Sequence, residues 1–244
     1  QRKLQQYPHL EAPVLATRGA RLALISLHWW DDSGNETTSL DVFEFDADGA
    51  VAYHGRFDED DFLSAYAELE RRYYSGEGAD VAGSGRVVAG WVEGIGRRDI
   101  EMVCRFSAPD FRWFAPESSL KAAERTVEDM FEWMRGRGEQ VALLRHWVPV
   151  IRWLSPNCAV GRIEVRGVGL DGEQYLWNSF VVSQLHDGLL ESVRDFDSED
   201  EAFAYADSVV AAASTSRLAV AYRASAVNSR FVAGMQGGDP DTAA

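Results

Sequence analysis

The feature of this sequence that most constrains its fold is a repeat at a constant offset of 139 residues. Turn and helix residues recur together in one register: Leu15 with Leu154, Asp48-Gly49 with Asp187-Gly188, Phe57-Asp58 with Phe196-Asp197, and Ala65-Tyr66-Ala67 with Ala204-Tyr205-Ala206. Solenoid and propeller repeats are only roughly 20–50 residues long, so a period of this length corresponds to a whole domain. The sequence therefore predicts tandem domains of one kind.

The copies differ in completeness. Residues 1–80 match only the later part of the unit, whereas residues 82–213 carry a complete one. Residues 214–244 are interpreted as a linker and the opening helix of a further repeat, because Phe231-Val232 echoes Trp91-Val92. We therefore interpret the sequence as a segment of a longer modular protein. The first copy in this segment lacks its opening helices.

Composition and charge narrow the classes of partner. Apolar residues make up 46% of the chain, as in globular proteins, and the net charge is −15. Such an acidic chain repels phosphate backbones and anionic lipids, so neither nucleic acid nor a membrane is an expected partner. Cys104 and Cys158 stand at no metal-ligand or redox spacing, so no metal and no cofactor is expected. These features favour a cytoplasmic protein.

The complete copy changes from a helical to a strand pattern partway along. Val88, Trp91, Val92 and Ile95 stand at helical spacing, and residues 120–135 predict a second amphipathic helix. Beyond residue 140 the period becomes two, with hairpin signals at Asp171-Gly172 and Asp187-Gly188. Ser198, with Glu201 three residues later, predicts the start of a closing helix. The order of elements indicates an α+β fold.

This order of elements resembles the NTF2-like fold of the SnoaL-like polyketide cyclases and ketosteroid isomerases. Residues 15–24, 57–62 and 65–73 are also similar to SnoaL-like modules in large actinobacterial signalling proteins, which are ATPases, nucleotide cyclases or kinases. The resemblance implies a cone, in which helices cover a curved antiparallel sheet around a cavity. It also implies partners, either neighbouring domains of the same longer chain or a second copy in a homodimer.

The cyclases and isomerases that this sequence resembles use a carboxylate inside an apolar cavity. The short strand where related modules carry polar residues reads Phe111-Arg112-Trp113-Phe114 here and contains no acid. Asp195 and His146 are the remaining acid–base candidates. Asp195 could equally be a strand-end acid that is paired with an arginine or with solvent, and His146 a half-exposed strand residue.

Aromatic residues suggest a ligand site. Trp113, Trp147 and Trp177 are candidates to line the cone and contact a flat apolar small molecule, with Arg112 and Arg152 available for an anionic group. Ordinary core packing and outward strand charges explain the same residues.

Three functions follow from these observations. The sequence favours a non-catalytic regulatory or interaction module that binds a small apolar ligand or its neighbouring modules, because the short strand has no acid. The alternative is an isomerase, cyclase or hydrolase that acts on a hydrophobic ring compound. The third is a structural dimerisation unit.

Overall fold

The structure is a computed structural model that describes residues 7–116, 124–138 and 141–210. These residues form two compact units, 7–78 and 79–210. The elements of the first unit are β1 (His9–Glu11), β2 (Val14–Arg18), β3 (Leu22–Trp30), β4 (Glu36–Phe45), β5 (Val51–Asp58) and α1 (Phe62–Ser75). Across the described ranges, no helix is both long enough and apolar enough to cross a membrane.

The first unit is a sheet with a helix on one face. Its strands are ordered β1-β3-β4-β5, and β2 also pairs with β3. Helix α1 buries Phe62, Ala65 and Leu69 and lies against β2 to β5. Alternate residues of the strands form a separate apolar cluster: Leu10, Ala23, Ile25, Leu27, Trp29, Phe43 and Phe45. Since successive side chains of a strand point to opposite faces, this cluster lies on the face away from the residues that α1 covers.

A buried ion pair joins the sheet of the first unit to α1. The side chain of Arg18 is 1% exposed and donates from Nε to Glu70 Oε1 at 2.8 Å. Its Nη2 donates to the Tyr66 hydroxyl at 2.6 Å, and its Nη1 to the Thr17 carbonyl at 2.7 Å. Burial lowers the pKa of Arg18, but the charge and hydrogen bond of Glu70, together with Tyr66 and Tyr74, outweigh burial and hold that pKa above its ordinary value. The charge of Arg18 is thus compensated locally.

The second unit contains a six-stranded sheet with helices on both faces. A short 3-10 turn at Ala79–Val81 precedes α2 (Ala82–Arg97), α3 (Ile100–Phe106), β6 (Ser107–Phe114), β7 (Glu124–Arg125), α4 (Val127–Gly138), β8 (Val141–Ser155), β9 (Cys158–Gly169), β10 (Gln174–His186), β11 (Leu189–Phe196) and α5 (Glu199–Val209). The strand order is β7-β6-β11-β10-β9-β8. All pairs are antiparallel except β6 with β11.

Helices α2, α3 and α4 cover the inner face of this sheet. They share a core with alternate strand residues, including Val148, Ile151, Val181 and Val193. Gly90 and Gly94 allow α2 to approach α3, because a Cβ at either position would collide with Phe106 or Val103. Helix α5 covers the outer face, where Ala202, Phe203 and Ala206 meet Cys158, Val160 and Val182.

The predicted α+β cone is confirmed by this architecture. The Ser198 hydroxyl accepts the Glu201 N–H at 3.3 Å and begins α5 as predicted. One helix boundary is corrected: α4 begins at Val127, because Glu124 and Arg125 instead pair with Phe114 and Trp113 as a short strand. The predicted opening helix within residues 214–244 lies outside the described residues.

Candidate active site

A small cavity lies between α2 and the inner face of the sheet in the second unit. Its walls are almost entirely apolar: Val88, Trp91, Val92, Val148, Ile151, Gly161, Ile163, Val181, Ser183 and Val193. The centre of a water molecule can move through about 10 Å³ of it, which is room for about one water. This cavity is therefore nearly filled by the described side chains around it, and any ligand larger than water must displace some of them.

Asp195 lies beside this cavity on the inner face. It pairs across the strands with Val181 and follows Val193 by two residues, and both valines line the cavity. Because side chains two residues apart on a strand share a face, the carboxyl points into the cone. Burial among apolar groups disfavours the charged form and raises the pKa of Asp195 to about 7. At neutral pH this carboxyl can both give and accept a proton.

Two neighbours orient the Asp195 carboxyl and partly oppose the effect of burial. The indole N–H of Trp113 in β6 donates a hydrogen bond to the Asp195 carboxyl. The parallel pairing of β6 with β11 places Trp113 beside Val193. The positive charge of Arg125 also lowers the pKa of Asp195, and the Arg125 guanidinium lies 4.8 Å from the Trp113 ring centroid. Arg194, adjacent in sequence, contacts the Phe114 and Tyr205 rings instead.

His146 and Trp177 lie together, at a distance from Asp195. Both are in register with Val165, His146 from β8 and Trp177 from β10, so the three share a face. Burial lowers the pKa of His146 to about 4, so the imidazole is neutral at physiological pH. Trp177 is four residues from Val181, the cross-strand partner of Asp195, which corresponds to about 13 Å along the strand. His146 is thus too far from Asp195 to exchange a proton with it directly.

The other residues predicted to bind a ligand lie elsewhere. Arg112 points away from Trp113 and donates to Glu124 Oε1 at 2.7 Å and to two backbone carbonyls. Trp147 pairs with Glu164 on the outer face, is 1% exposed, and lies 5.3 Å from the Arg166 guanidinium. Arg152 pairs with Val160, whose side chain faces α5. The structure therefore brings Asp195 and Trp113 together. Arg112, Trp147 and Arg152 lie outside this site.

Three residues of the site were not predicted for this role. The helical spacing predicts Trp91 as a helix residue; in the structure it also lines the cavity, and its buried indole N–H has no hydrogen-bond partner among the described residues. Ser183 lines the same cavity, and a small polar residue at an inward strand position was the available signal. Arg125 approaches Trp113 through the β6–β7 pairing, which no sequence pattern showed.

Several solved structures are similar to about half of this chain at low sequence identity. Similar structures include an NTF2-like protein of unknown function from Burkholderia pseudomallei, 18% identical, covering 51% of this chain and 97% of that one, with a TM-score of 0.41. AclR of Streptomyces galilaeus, a candidate hydroxylase, is 18% identical over 47% of this chain and 78% of its own, with a TM-score of 0.40. IdmH of Streptomyces antibioticus, a candidate polyketide cyclase, is 16% identical over 50% and 96%, with a TM-score of 0.42. No protein-family model and no curated protein matches the sequence.

The prediction that this segment is more likely not an enzyme is wrong. It depended on the missing acid in the strand of Phe111 to Phe114, but the acid at this point of the cone comes from β11, the parallel neighbour of that strand. The missing acid in the strand of Phe111 to Phe114 therefore does not exclude an acid–base role for the second unit.

Proposed function

We propose that residues 79–210 form a SnoaL-like acid–base enzyme that moves a proton on a hydrophobic ring compound carrying a carbonyl group, as an isomerase or cyclase does. The observation that carries this proposal is the partly buried Asp195 on the inner face of an apolar cone, with a pKa raised to about 7. A general acid–base group is most effective when its pKa lies near the working pH. No metal or cofactor is needed for this step.

The proposed step uses Asp195 twice. Its carboxylate accepts a proton from the carbon next to the substrate carbonyl, giving an enol or enolate, and then returns that proton to another carbon or to oxygen. Trp113 holds the carboxyl in position through its hydrogen bond. The apolar walls at Val181 and Val193 exclude water from the carboxyl and select an apolar ring.

The carbonyl oxygen of the substrate needs a hydrogen-bond donor as charge develops on it. The buried N–H of Trp91 is the candidate, because leaving it without a partner costs free energy and the cavity beside it has room for one water-sized atom. Ser183 lines the same cavity and can supply a second donor. Seating the ring itself requires the side chains of the cavity to move apart.

This proposal is tested by titration and turnover with the full chain. Carbon NMR of labelled aspartate should show the Asp195 carboxyl titrating near pH 7, and a cyclic β,γ-unsaturated ketone should be converted to the conjugated isomer. Asp195→Asn should lower the rate by about 100-fold or more, as expected for loss of a general base. The exposed neighbour Asp197 provides the matched control, and Asp197→Asn should keep the rate within a few-fold. An Asp195 that titrates near its ordinary value of 3.8 would overturn the proposal.

One observation favours a second function, assembly, for the same unit. A cone that leaves room for only about one water is typical of a packed core, so the unit would then act as a structural dimerisation unit or pack against neighbouring modules. Light scattering of the full chain over a range of concentrations tests this function. Dimer formation together with no turnover in any ring ketone would favour assembly over catalysis.

A further inference from the structure

The first unit contains a polar cluster at the position where the second unit has Asp195. In each unit the antiparallel pair before α1 or α5 has a register shift near the hairpin, between Glu44 and Phe45 and between Gln184 and Leu185. Counting from these shifts, the pair Asp41 and Arg56 corresponds to the pair Val181 and Asp195. The cluster thus occupies the place of a proposed active site, but its residues are different.

Asp41 is at the centre of this cluster. It is 0% exposed, and its Oδ2 accepts the Ser39 hydroxyl at 2.6 Å. Its Oδ1 accepts Arg56 Nε at 2.9 Å and Nη2 at 2.8 Å, and also contacts His54 Nε2. The His54 ring is further fixed by stacking on Phe43, with centroids 4.6 Å apart and planes 2° from parallel. One buried carboxylate therefore positions two basic side chains.

These two basic side chains are accessible and have donors left over. The His54 side chain is 40% exposed and that of Arg56 43%. Neither makes a further side-chain hydrogen bond within the described ranges, so the imidazole Nδ1 and the outer guanidinium N–H groups remain available. Arg56 carries a permanent positive charge, and the His54 ring places a second polar edge beside it. Such a cluster attracts a single anionic group.

We propose that His54 and Arg56 form a binding site for the carboxylate group of a small molecule. The free edge of the planar Arg56 guanidinium matches the two oxygens of a planar carboxylate, and the His54 ring lies beside it. Asp41 fixes both donors before the ligand arrives, which reduces the entropy lost on binding. This site belongs to the first unit and is independent of the function proposed for the second.

One charged group on the same face opposes the ligand. Asp58 is in register with Ser39, two residues beyond Arg56 on β5, and is exposed. The residues that β3 places opposite Ser39 and Asp41 are the apolar Leu27 and Ile25. Repulsion by Asp58 weakens binding, so removing its charge is expected to strengthen it.

The experiment titrates the full chain with acetate and follows the ring resonances of His54, assigned by comparison with His54→Gln. A saturable shift is expected in the natural sequence. Arg56→Gln should weaken acetate binding about tenfold, and Asp58→Asn should strengthen it by a few-fold. Arg71→Gln is the matched control, because Arg71 pairs with Glu68 on the exposed part of α1 and should leave binding unchanged.

Three outcomes overturn this proposal. A shift that grows linearly with acetate and never saturates indicates nonspecific association, and equal affinity in Arg56→Gln indicates that Arg56 holds no ligand. Tighter binding of inorganic phosphate than of acetate contradicts the carboxylate assignment. If Arg56→Gln fails to fold, Arg56→Lys keeps the charge and should still lose affinity, since a lysine cannot donate two parallel hydrogen bonds.

Discussion

The two units differ most in the environment of the carboxylate that each carries on an equivalent pair of strands, Asp41 on β4 of the first unit and Asp195 on β11 of the second. In the first unit Asp41 is fully buried but receives hydrogen bonds from Ser39 and Arg56 and contacts His54. In the second unit Asp195 has the Trp113 hydrogen bond and the charge of Arg125, and burial still raises its pKa to about 7. One environment compensates a buried charge and the other leaves it reactive. Sheets of the same arrangement therefore hold either a fixed ionic cluster or a carboxyl with a raised pKa, depending on a few inward side chains.

The largest predicted effect tests whether the first unit depends on compensated charge. Glu70→Gln should destabilise this unit by about 3–5 kcal/mol, because it leaves the nearly inaccessible guanidinium of Arg18 without its anionic partner. Chemical denaturation, followed by amide exchange in β3 to β5, measures the loss. Arg71→Gln on the same helix removes an exposed charge and leaves its partner Glu68 close to Arg72, so it should cost less than about 1 kcal/mol. Equal losses for the two variants would contradict this interpretation.

The next prediction concerns the second unit, where removing the charge of a carboxylate is expected to stabilise the folded state instead of destabilising it. Because the pKa of Asp195 is raised, the folded state binds its proton more tightly than the unfolded state does between about pH 4 and pH 7. Stability contributed by this group is therefore present at low pH and falls as pH rises to about 7. The difference between 3.8 and about 7 corresponds to at most about 4 kcal/mol.

Asp195→Asn removes the charge and should make the second unit more stable than the natural sequence at pH 8, with the gain vanishing toward pH 4. Urea unfolding across this pH range measures the effect. Asp41→Asn, the comparison in the first unit, should lose stability at pH 8, because His54 and Arg56 would lose their anionic partner. A loss of stability at pH 8 in Asp195→Asn would show that its charge is compensated as well.

His146 provides a second comparison within the second unit, because burial lowers its pKa whereas burial raises the pKa of Asp195. Its lowered pKa means that the folded state holds fewer protons on this group than the unfolded state between about pH 6.5 and pH 4. Stability from a neutral His146 is present above about pH 6.5 and is lost as pH falls, by about 3 kcal/mol in full. His146→Gln should remove this acid sensitivity in thermal unfolding at pH 7 and pH 4.5. An unchanged pH dependence would mean that the imidazole is solvated in the folded protein.

Much of this fold could be predicted from the sequence, but only part of the site. The change of period, the two Asp-Gly turns and the Ser198 cap are local signals, so the α+β order followed from them. The face of the sheet on which Trp147 lies could not be predicted in this way. The β8–β9 register shifts between Trp147 and Val150, and this shift interrupts the regular alternation of faces along the strand. Pro149, within that shift, is the signal that could have shown it, since proline in a strand often marks a bulge.

The proton-transfer role that we propose for Asp195 depends on contacts between distant segments. Trp113 reaches Asp195 only through the parallel pairing of β6 with β11, and these strands are separated by more than seventy residues of chain. The raised pKa is a property of the surrounding apolar side chains and has no local pattern. For the same reason the Asp41 cluster was not predicted: Ser39, Asp41, His54 and Arg56 read individually as ordinary strand residues until the β4–β5 register is known.

The smallest predicted effect concerns the hairpin turns that the repeat conserves. Asp187 and Gly188 both have positive φ, 49° and 77°, and connect His186 directly to Leu189 as a two-residue turn. In the corresponding turn of the first unit Gly49 has positive φ but Asp48 does not, and the Asp46 side chain closes a longer loop by accepting hydrogen bonds from the Asp48 and Ala50 N–H groups. Asparagine tolerates the left-handed region better than aspartate does, so Asp187→Asn should stabilise the second unit by a few tenths of a kcal/mol, on the order of 0.3. Asp48→Asn is the matched control and should change nothing measurable in thermal unfolding, because that position does not require positive φ. Equal stabilisation by both variants would mean that the two turns share one backbone conformation and that their difference lies outside the hairpins.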